Sequence, residues 1–409
     1  MRVLLVGSGG REHALGWKLT RSRQVEELIS LPGNPGLAGL GAVVEGISAD
    51  DVGAIAAMAR VQGVDLVVVG PEAPLAAGVA DAVSALGIPV FGPTRAAARL
   101  ESSKSYAKEV MTRAGVATAA SESFTEPGPA KQHLARGDGP YVVKADGLAA
   151  GKGVLVTASR EEASRWVDHC LEGGFGPAGA LVLIEDFIEG PEVSIFAVCT
   201  DNGAVPLEPA RDYKRLGDGD QGPNTGGMGS YSPVDDLPDG LVEDVMRTVI
   251  EPTLAQMAED NNPFRGFLYA GLVLTADGPK VLEFNVRLGD PETQAVLPRM
   301  TTDLIDVLEG ATPEWSETAA VNVVLAAEGY PESPVTGAAI EGVDRVPDDV
   351  LVFHAGTRQE GKRLLVGGGR VLNLVGTGPT LEEARERAYV AAASVGWPGM
   401  QYRADIATQ

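Results

Sequence analysis

The segment from Val142 to Val154 carries two lysines and three glycines, a combination that suits anion binding. A run of β-branched residues ends at Lys144, and Lys152 lies within the glycine-rich part before apolar residues resume. Glycines let backbone N–H groups approach an anion closely, and the lysines supply positive charge. The pattern predicts a strand, a cationic loop that binds a polyphosphate, and a second strand. The three glycines are Gly147, Gly151 and Gly153.

This segment is not a Walker A loop, because no Gly-Lys-Ser/Thr sequence ends it and no helical pattern follows directly. The alternative interpretation is a glycine-rich β-hairpin on the surface that binds nothing.

A second group of polar residues lies at the end of a strand that begins at Val281. Glu283, Asn285 and Arg287 alternate with apolar residues, so they should project from one face of the strand. A carboxylate and an amide oxygen suit a hard cation such as Mg²⁺, which leaves Arg287 free to bind a phosphate or carboxylate. The alternative is a solvated strand face, but two further carboxylates in Gly289-Asp290-Pro291-Glu292 favour a site.

The third region runs from the cationic cluster Arg211-Asp212-Tyr213-Lys214-Arg215 to the segment Gly222–Gly229. Four glycines and one proline within eight residues predict an irregular loop that closes over a substrate. A disordered linker is the alternative, although Met228 and Tyr231 are not typical of linkers.

The four histidines form no triad, since no serine-elbow motif lies near any of them. The available lysines, arginines, carboxylates and glycines instead favour phosphoryl chemistry, achieved by positioning and electrostatics.

Residues 1–101 alternate short apolar runs with helical segments, which predicts a doubly wound domain with a parallel sheet. Its first turn, Gly7 to His13, opens a helix and should present free N–H groups to an anion. Glu12 stands where a dinucleotide fingerprint needs its third glycine, which favours a phosphate-sized ligand over NAD. A tight turn without a ligand is the alternative.

The remaining chain reads as α+β. A helix should start near Lys104 with Ser102 or Ser103 as its cap. Residues 121–188 predict a small α+β unit, and a largely antiparallel sheet follows with helices at about 241–260 and 293–309. The predicted domains are 1–101, a core of 102–120 with 189–320, an inserted unit of 121–188, and a small C-terminal α+β domain of 321–409.

Composition excludes several classes of function. The formal net charge of -23 and the pI near 4.6 repel nucleic acid and anionic membranes. Cys170 and Cys199 have no partner at metal-ligand spacing, so they should be buried thiols in a reducing compartment. With no signal-peptide pattern or long apolar stretch, we expect a cytoplasmic protein that is a monomer or a weak dimer.

Five segments in this order along the chain resemble the glycinamide ribonucleotide synthetases of the ATP-grasp superfamily. The resemblance implies a two-part ATP-grasp unit between the terminal domains, and a carboxylate-amine ligase that activates glycine with ATP as glycyl phosphate. The amine of 5-phosphoribosylamine would then displace phosphate, in a step of de novo purine synthesis. The segments are Gly7–Ala14, Gly70–Leu75, Lys144–Gly153, Gly222–Gly229 and Asn285–Glu292.

The same resemblance implies roles for single residues. Those implied in catalysis are Arg287, Asp212 and Lys144. Those implied in ATP binding are Lys104, Lys144, Gly147, Gly151, Lys152, Gly153, Glu185, Phe187, Ile188 and Glu192. Those implied in substrate binding are Gly9, Gly10, Asp212, Pro223, Asn224, Thr225, Gly226, Gly227, Met228, Gly229 and Arg287. The implied ligands of Mg²⁺ or Mn²⁺ are Glu283 and Asn285.

The chain departs from the family pattern at three places. Arg211-Asp212-Tyr213 replaces the more usual Gln-Asp-His, and Val286 stands where cysteine is common. The strand at Leu272-Val273-Leu274 lacks the upstream metal carboxylate found in ATP-grasp enzymes, so a second ion would need ATP oxygens, water or another acid. Two rival functions remain open: an ATP-grasp carboxylase of purine or biotin metabolism, and a non-catalytic nucleotide-binding module.

Overall fold

The N-terminal part of the chain forms the predicted parallel sheet. The computed structural model describes residues 1–149 and 152–408. The strands are β1 (Arg2–Gly7), β2 (Glu27–Pro32), β3 (Ala42–Val43), β4 (Leu66–Val69) and β5 (Val90–Phe91). The helices are α1 (Gly10–Leu19), α2 (Pro35–Ala38), α3 (Val52–Val61), α4 (Glu72–Ala77) and α5 (Val79–Ser84). The order β3-β2-β1-β4-β5 is parallel throughout, and the buried apolar strands explain why the sequence pattern was clear.

Two helices connect this sheet to the next unit: α6 (Arg99–Ser102) and α7 (Lys104–Ala114). Ser103 caps α7, because its hydroxyl accepts a hydrogen bond from the Tyr106 N–H at 3.2 Å. The predicted helix start is confirmed, and it fixes Lys104 at the first turn of α7.

The inserted unit is a four-stranded antiparallel sheet with two helices. Its elements are β6 (Ser121–Phe124), α8 (Pro127–Leu134), β7 (Tyr141–Ala145), β8 (Val154–Thr157), α9 (Arg160–His169) and β9 (Val182–Asp186). The order is β6-β9-β7-β8, and Lys144 lies opposite Val154. The predicted strand, loop and strand are therefore confirmed for the residues that the structure describes.

The central unit is built on a second antiparallel sheet, of order β11-β10-β16-β17. The strands between 192 and 285 are β10 (Glu192–Thr200), β11 (Gly203–Pro206), β12 (Arg211–Asp212), β13 (Arg215–Gly217), β14 (Gln221–Asn224), β15 (Gly229–Ser232), β16 (Gly266–Thr275) and β17 (Gly278–Asn285). The helices are α10 (Leu241–Val245), α11 (Glu251–Glu259), α12 (Glu292–Val296) and α13 (Leu304–Leu308).

The single helix predicted for 293–309 is wrong. Pro298 lies in a tight 3₁₀ turn after α12, where it cannot donate to a continuing helix. Asp303 then caps the separate helix α13 by accepting the Ile305 N–H at 2.9 Å.

The irregular loop predicted for Gly222–Gly229 is also wrong in part. Strands β13 and β14 pair as a hairpin, and β15 begins at Gly229 and pairs with β12. Backbone hydrogen bonds pair these strands, and they do not depend on side chains, so a high glycine content did not prevent the strands from forming.

The C-terminal strands are β18 (Ala319–Ala326), β19 (Val350–His354), β20 (Thr357–Glu360), β21 (Arg363–Val366) and β22 (Arg370–Gly378), and α14 (Leu381–Ser394) follows. Strands β18, β22 and β19 belong to an antiparallel sheet of order β12-β15-β18-β22-β19, so this sheet continues across the domain boundary predicted at residue 321. Strands β20 and β21 pair in a separate two-stranded sheet. Over the residues that the structure describes, no helix is long and apolar enough to cross a membrane.

Candidate active site

A cavity of about 590 Å³ is lined by residues of the N-terminal, inserted, central and C-terminal units. Eleven of the residues predicted for the site lie on its wall, although they are far apart in the sequence. They are Gly9, Lys104, Gly147, Gly153, Glu185, Asp212, Thr225, Gly226, Glu283, Asn285 and Arg287.

One end of the cavity combines Lys104 with the glycine-rich segment. The Lys104 ammonium group donates to the carbonyl of Gly147 at 3.2 Å, which ties α7 to the segment after β7. Burial lowers the pKa of Lys104, while Glu283 acts in the opposite direction. Gly147 cannot carry a side chain here, since a Cβ atom would lie 2.7 Å from the Cα atom of Ala178. This end of the cavity therefore presents the Lys104 ammonium group to an anion, whereas the Gly147 N–H donates to the Ala178 carbonyl at 3.0 Å.

Lys144 lies just behind the wall of the cavity. Its ammonium nitrogen is 3.0 Å from Glu185 Oε2 and donates to the carbonyl of Leu282 at 3.2 Å. The Glu185 carboxylate faces the ammonium groups of Lys144 and Lys108, and its implied role in ATP binding stays a prediction. Lys144 thus connects β7 of the inserted unit to β17 of the central sheet.

Glu283 and Asn285 present oxygen atoms to the cavity. Neither side chain has a hydrogen-bond partner within 1–149 and 152–408, so both oxygens are available to a ligand. Burial raises the pKa of Glu283, but the positive charges of Lys214 and Lys144 outweigh burial and hold it below its ordinary value. An ionised carboxylate beside an amide oxygen fits Mg²⁺ or Mn²⁺.

The protein supplies only part of such a coordination sphere. Among the described residues, no group of three or more His, Cys, Asp or Glu side chains could hold a metal ion. A divalent cation bound by Glu283 and Asn285 would therefore take its remaining ligands from phosphate oxygens and water, as Mg²⁺ commonly does.

Asp212 lies on the wall in an acidic part of the cavity. Its Oδ1 is 3.9 Å from the ammonium nitrogen of Lys214, which is itself 2.6 Å from Glu192. Burial raises the pKa of Asp212 to about 7, Lys214 opposes this, and Glu292 adds to it. Asp212 can therefore exchange a proton near neutral pH.

Arg287 is held by two carboxylates that the sequence analysis did not assign to the site. Its Nε atom is 3.1 Å from Glu72 on α4, and one terminal nitrogen is 3.0 Å from Glu101 on α6. Charge attraction from both acids, which outweighs burial, raises the pKa of Arg287 above its ordinary value. Gly70–Leu75 had been noted only as a motif, and no local pattern marked Glu101.

The chain matches the three family models of phosphoribosylglycinamide synthetase along nearly its whole length. The N domain matches residues 1–101, the ATP-grasp (A) domain 102–293, and the C domain 320–409. A phosphoribosylamine–glycine ligase of Brucella melitensis biotype 1 is 47% identical, over 99% of this chain and 97% of the relative. One of Streptomyces coelicolor is 48% identical, over 100% of this chain and 99% of the relative.

The chain belongs to the phosphoribosylglycinamide synthetase family. The crystal structure of a phosphoribosylamine–glycine ligase from Thermotoga maritima covers 100% of both chains with a TM-score of 0.86 and 36% identity. Biotin carboxylase from Campylobacter jejuni has a TM-score of 0.75 at 16% identity, over 98% of this chain and 92% of that one. That second likeness shows a shared fold only.

The first turn of the chain, after β1, differs from the sequence-based expectation. The N–H of Gly9 does not face an open anion site, because it donates to Glu12 Oε2 at 2.7 Å. Gly7 and Gly70 leave room for Glu12, since a Cβ atom on either would lie 2.4 Å from its Cγ. Gly10 lies outside the wall of the cavity, and a Cβ there would lie 2.4 Å from Asn373.

Arg370 of the C domain is a wall residue that the sequence analysis missed. Its guanidinium lies 3.0 Å from the Asp290 carboxylate and donates to the Asp290 carbonyl at 2.6 Å and to the Gly226 carbonyl. Gly226 also donates its N–H to the Tyr330 hydroxyl at 2.9 Å. The C domain thus fixes the segment that carries Thr225 and Gly226.

Other predicted residues lie outside the wall as the structure describes it. Lys152 is exposed, Phe187 is 44% exposed, and Met228 is fully buried in packing. The remaining members of this set are Ile188, Glu192, Pro223, Asn224, Gly227 and Gly229. Gly151 lies outside the described residues. The ligand roles of all these residues stay predictions.

Proposed function

We propose that this chain ligates glycine to 5-phosphoribosylamine with ATP, giving glycinamide ribonucleotide, ADP and phosphate. The observation that carries the proposal is one cavity in which Lys104, Glu283, Asn285 and Arg287 converge, with no hydrogen-bond partner for the Glu283 and Asn285 side chains among the described residues. Relatives named phosphoribosylamine–glycine ligase, 45–48% identical over at least 99% of the chain, support the choice of substrates.

The first step places ATP phosphates at the end formed by Lys104 and the glycine-rich segment. A carboxylate oxygen of glycine attacks the terminal phosphorus, and ADP leaves with the bonding electron pair. A divalent cation held by Glu283 and Asn285 would neutralise phosphate charge. Lys104 and Lys144 are the protein groups proposed to hold the phosphates in line.

In the second step the amine of phosphoribosylamine attacks the carbonyl carbon of glycyl phosphate. Phosphate leaves with the former carboxylate oxygen, and the attacking nitrogen loses a proton. We assign that proton to Asp212, because its pKa of about 7 suits exchange at neutral pH. Arg287 is assigned to an anionic group of the substrates, since its planar fork suits phosphate or carboxylate.

We further propose that residues 1–101, 102–120 with 189–320, 121–188 and 321–409 act as N-terminal, core, lid and C-terminal domains. The family matches at 1–101, 102–293 and 320–409 support the outer boundaries. The proposed binding partners are the small-molecule substrates glycine, ATP and phosphoribosylamine. The protein itself is proposed to be cytoplasmic and to be a monomer or a weak dimer.

An ADP-release assay with each substrate omitted in turn tests the proposal. Phosphoribosylamine is formed in the cuvette from ribose 5-phosphate and ammonia, and ADP is followed by a coupled enzyme assay. ADP release should require glycine and phosphoribosylamine together. Release that needs bicarbonate instead would favour a carboxylase, and release that depends on neither acceptor would contradict the proposal.

A further inference from the structure

One buried carboxylate oxygen is shared by two lysines. Glu185 Oε2 lies 3.0 Å from the ammonium nitrogen of Lys144 on β7 and 3.3 Å from that of Lys108 on α7. The Glu185 side chain is only 3% exposed, so solvent screens neither contact strongly. Lys108 lies one helical turn after Lys104, and the sequence analysis gave it no role.

Lys108 is fixed independently of Lys144. Its ammonium group donates to Thr118 Oγ1 at 2.8 Å and to the carbonyl of Ala119 at 2.9 Å. Thr118 in turn donates to the carbonyl of Val281 at 2.6 Å, which ties the group to β17. Lys108 therefore stays beside Glu185 whatever Lys144 does.

Lys144 has fewer contacts. Besides Glu185, its ammonium group donates to the carbonyl of Leu282 at 3.2 Å. Leu282 is the extra residue of a β-bulge, because Val281 pairs with Leu272 and Glu283 with Gly271. Its carbonyl is thus free of the strand ladder, and Lys144 can leave it without breaking the sheet.

Because Lys144 lies just behind the cavity wall and is paired with Glu185, a phosphate in the cavity competes with Glu185 for the Lys144 ammonium group. A buried carboxylate that loses its single cation is strongly unfavourable. Here Lys108 would remain paired with Glu185, so the departure of Lys144 leaves no unpaired buried charge.

We propose that Lys108 is a positioning residue, the permanent counter-ion of Glu185 that lets Lys144 move to the phosphates of a bound nucleotide. The proposal rests on the proposed function in one respect, the assignment of Lys144 to nucleotide phosphates. It goes further by naming the residue that makes Lys144 available.

A double-mutant cycle on the full chain tests this role. Binding of the non-hydrolysable nucleotide AMP-PNP with Mg²⁺ is measured by calorimetry for wild type, Lys108→Met, Glu185→Gln and the double variant. Lys108→Met should weaken binding about tenfold, because Glu185 then retains Lys144. In the Glu185→Gln background the same change should alter affinity less than twofold.

Lys131→Met is the matched control, since Lys131 pairs with one carboxylate, Asp168, at 2.6 Å and lies outside the cavity wall. Lys131→Met should bind AMP-PNP as wild type does.

If Lys108→Met does not fold, Lys108→Gln removes the same charge and keeps a donor for the Ala119 carbonyl. Equal weakening in both backgrounds would mean that Lys108 acts directly or structurally, and would overturn the proposal. Unchanged affinity after loss of the Lys108 charge would also overturn it.

This experiment needs neither glycine nor phosphoribosylamine. If ADP release did not depend on glycine and phosphoribosylamine, the proposed function would be contradicted. The double-mutant cycle with AMP-PNP would still test the role of Lys108.

Discussion

Arg287 lies 3.0 Å from Glu101, and the two residues join the segment after β17 to the end of the N-terminal domain. Glu101 also accepts the N–H of Val286 at 2.8 Å, so it holds the backbone beside Arg287 as well as its side chain. Glu72 contacts the other side of the guanidinium at 3.1 Å. The direction of Arg287 is thus fixed by the N-terminal region and not by strand β17 alone.

Arg287→Lys should lower kcat/KM for phosphoribosylamine by about 100-fold. Lysine keeps the positive charge. Its single ammonium group cannot bind Glu72 and Glu101 together and still donate two parallel hydrogen bonds to a substrate. Steady-state kinetics measures the loss. Arg358→Lys is the control, because Arg358 pairs with Glu360 on an exposed hairpin. A change of less than threefold for Arg287→Lys would remove this residue from the site.

Glu283→Gln should abolish turnover while the protein stays folded. The amide keeps the shape of the side chain but removes the negative charge that a divalent cation needs. Activity should fall at least about 1,000-fold, and Mn²⁺ binding measured by electron paramagnetic resonance in the presence of ADP should weaken.

Asp277→Asn is the control for this change, since Asp277 is an exposed residue in the turn between β16 and β17. Asp277→Asn should leave both the activity and the binding of Mn²⁺ unchanged. Near-normal activity in Glu283→Gln would exclude Glu283 as a metal ligand.

Arg370→Lys should raise the KM for phosphoribosylamine about tenfold with little change in thermal stability. Lysine can still neutralise Asp290, but it cannot also hold the carbonyl of Gly226. Arg363→Lys, on the exposed face of β21, is the control. An unchanged KM would show that the C domain does not position the Gly226 segment.

Asp212 should make the stability of the protein depend on pH. Its pKa is about 7 in the folded chain against a reference of 3.8, so folding disfavours the ionised form. The stability that protonated Asp212 preserves is fully present below about pH 4. It is lost as the pH rises to about 7, because the unfolded chain then ionises more readily than the folded one. Urea unfolding should show the free energy of unfolding of Asp212→Asn rising relative to wild type by at least about 1 kcal/mol across this window. If the free energies of unfolding of the two proteins changed with pH in parallel, the raised pKa of Asp212 would be contradicted.

The sequence was sufficient for elements with a strong local pattern. The apolar strand before Lys144 and the cap at Ser103 depend on neighbours in sequence, and both were predicted correctly. The glycine content of Gly222–Gly229 predicted an irregular loop, because side-chain composition reveals neither the backbone pairing of β14 with the neighbouring β13 nor that of β15 with the distant β18.

The candidate site was predictable where the residues carry their own chemistry, as with Glu283 and Asn285. Glu101, Arg370 and Lys108 were missed for a common reason. Their partners lie 186, 80 and 77 residues away in the chain, at Arg287, Asp290 and Glu185 respectively, so only the tertiary structure brings each pair together.

The central claim is that glycine is activated as glycyl phosphate before the amine attacks. Glycine labelled with ¹⁸O in both carboxylate oxygens tests this most directly, with the inorganic phosphate analysed by mass spectrometry. We expect one ¹⁸O atom in each phosphate released and one ADP for each glycinamide ribonucleotide formed. Phosphate free of ¹⁸O, formed alongside the product, would contradict it.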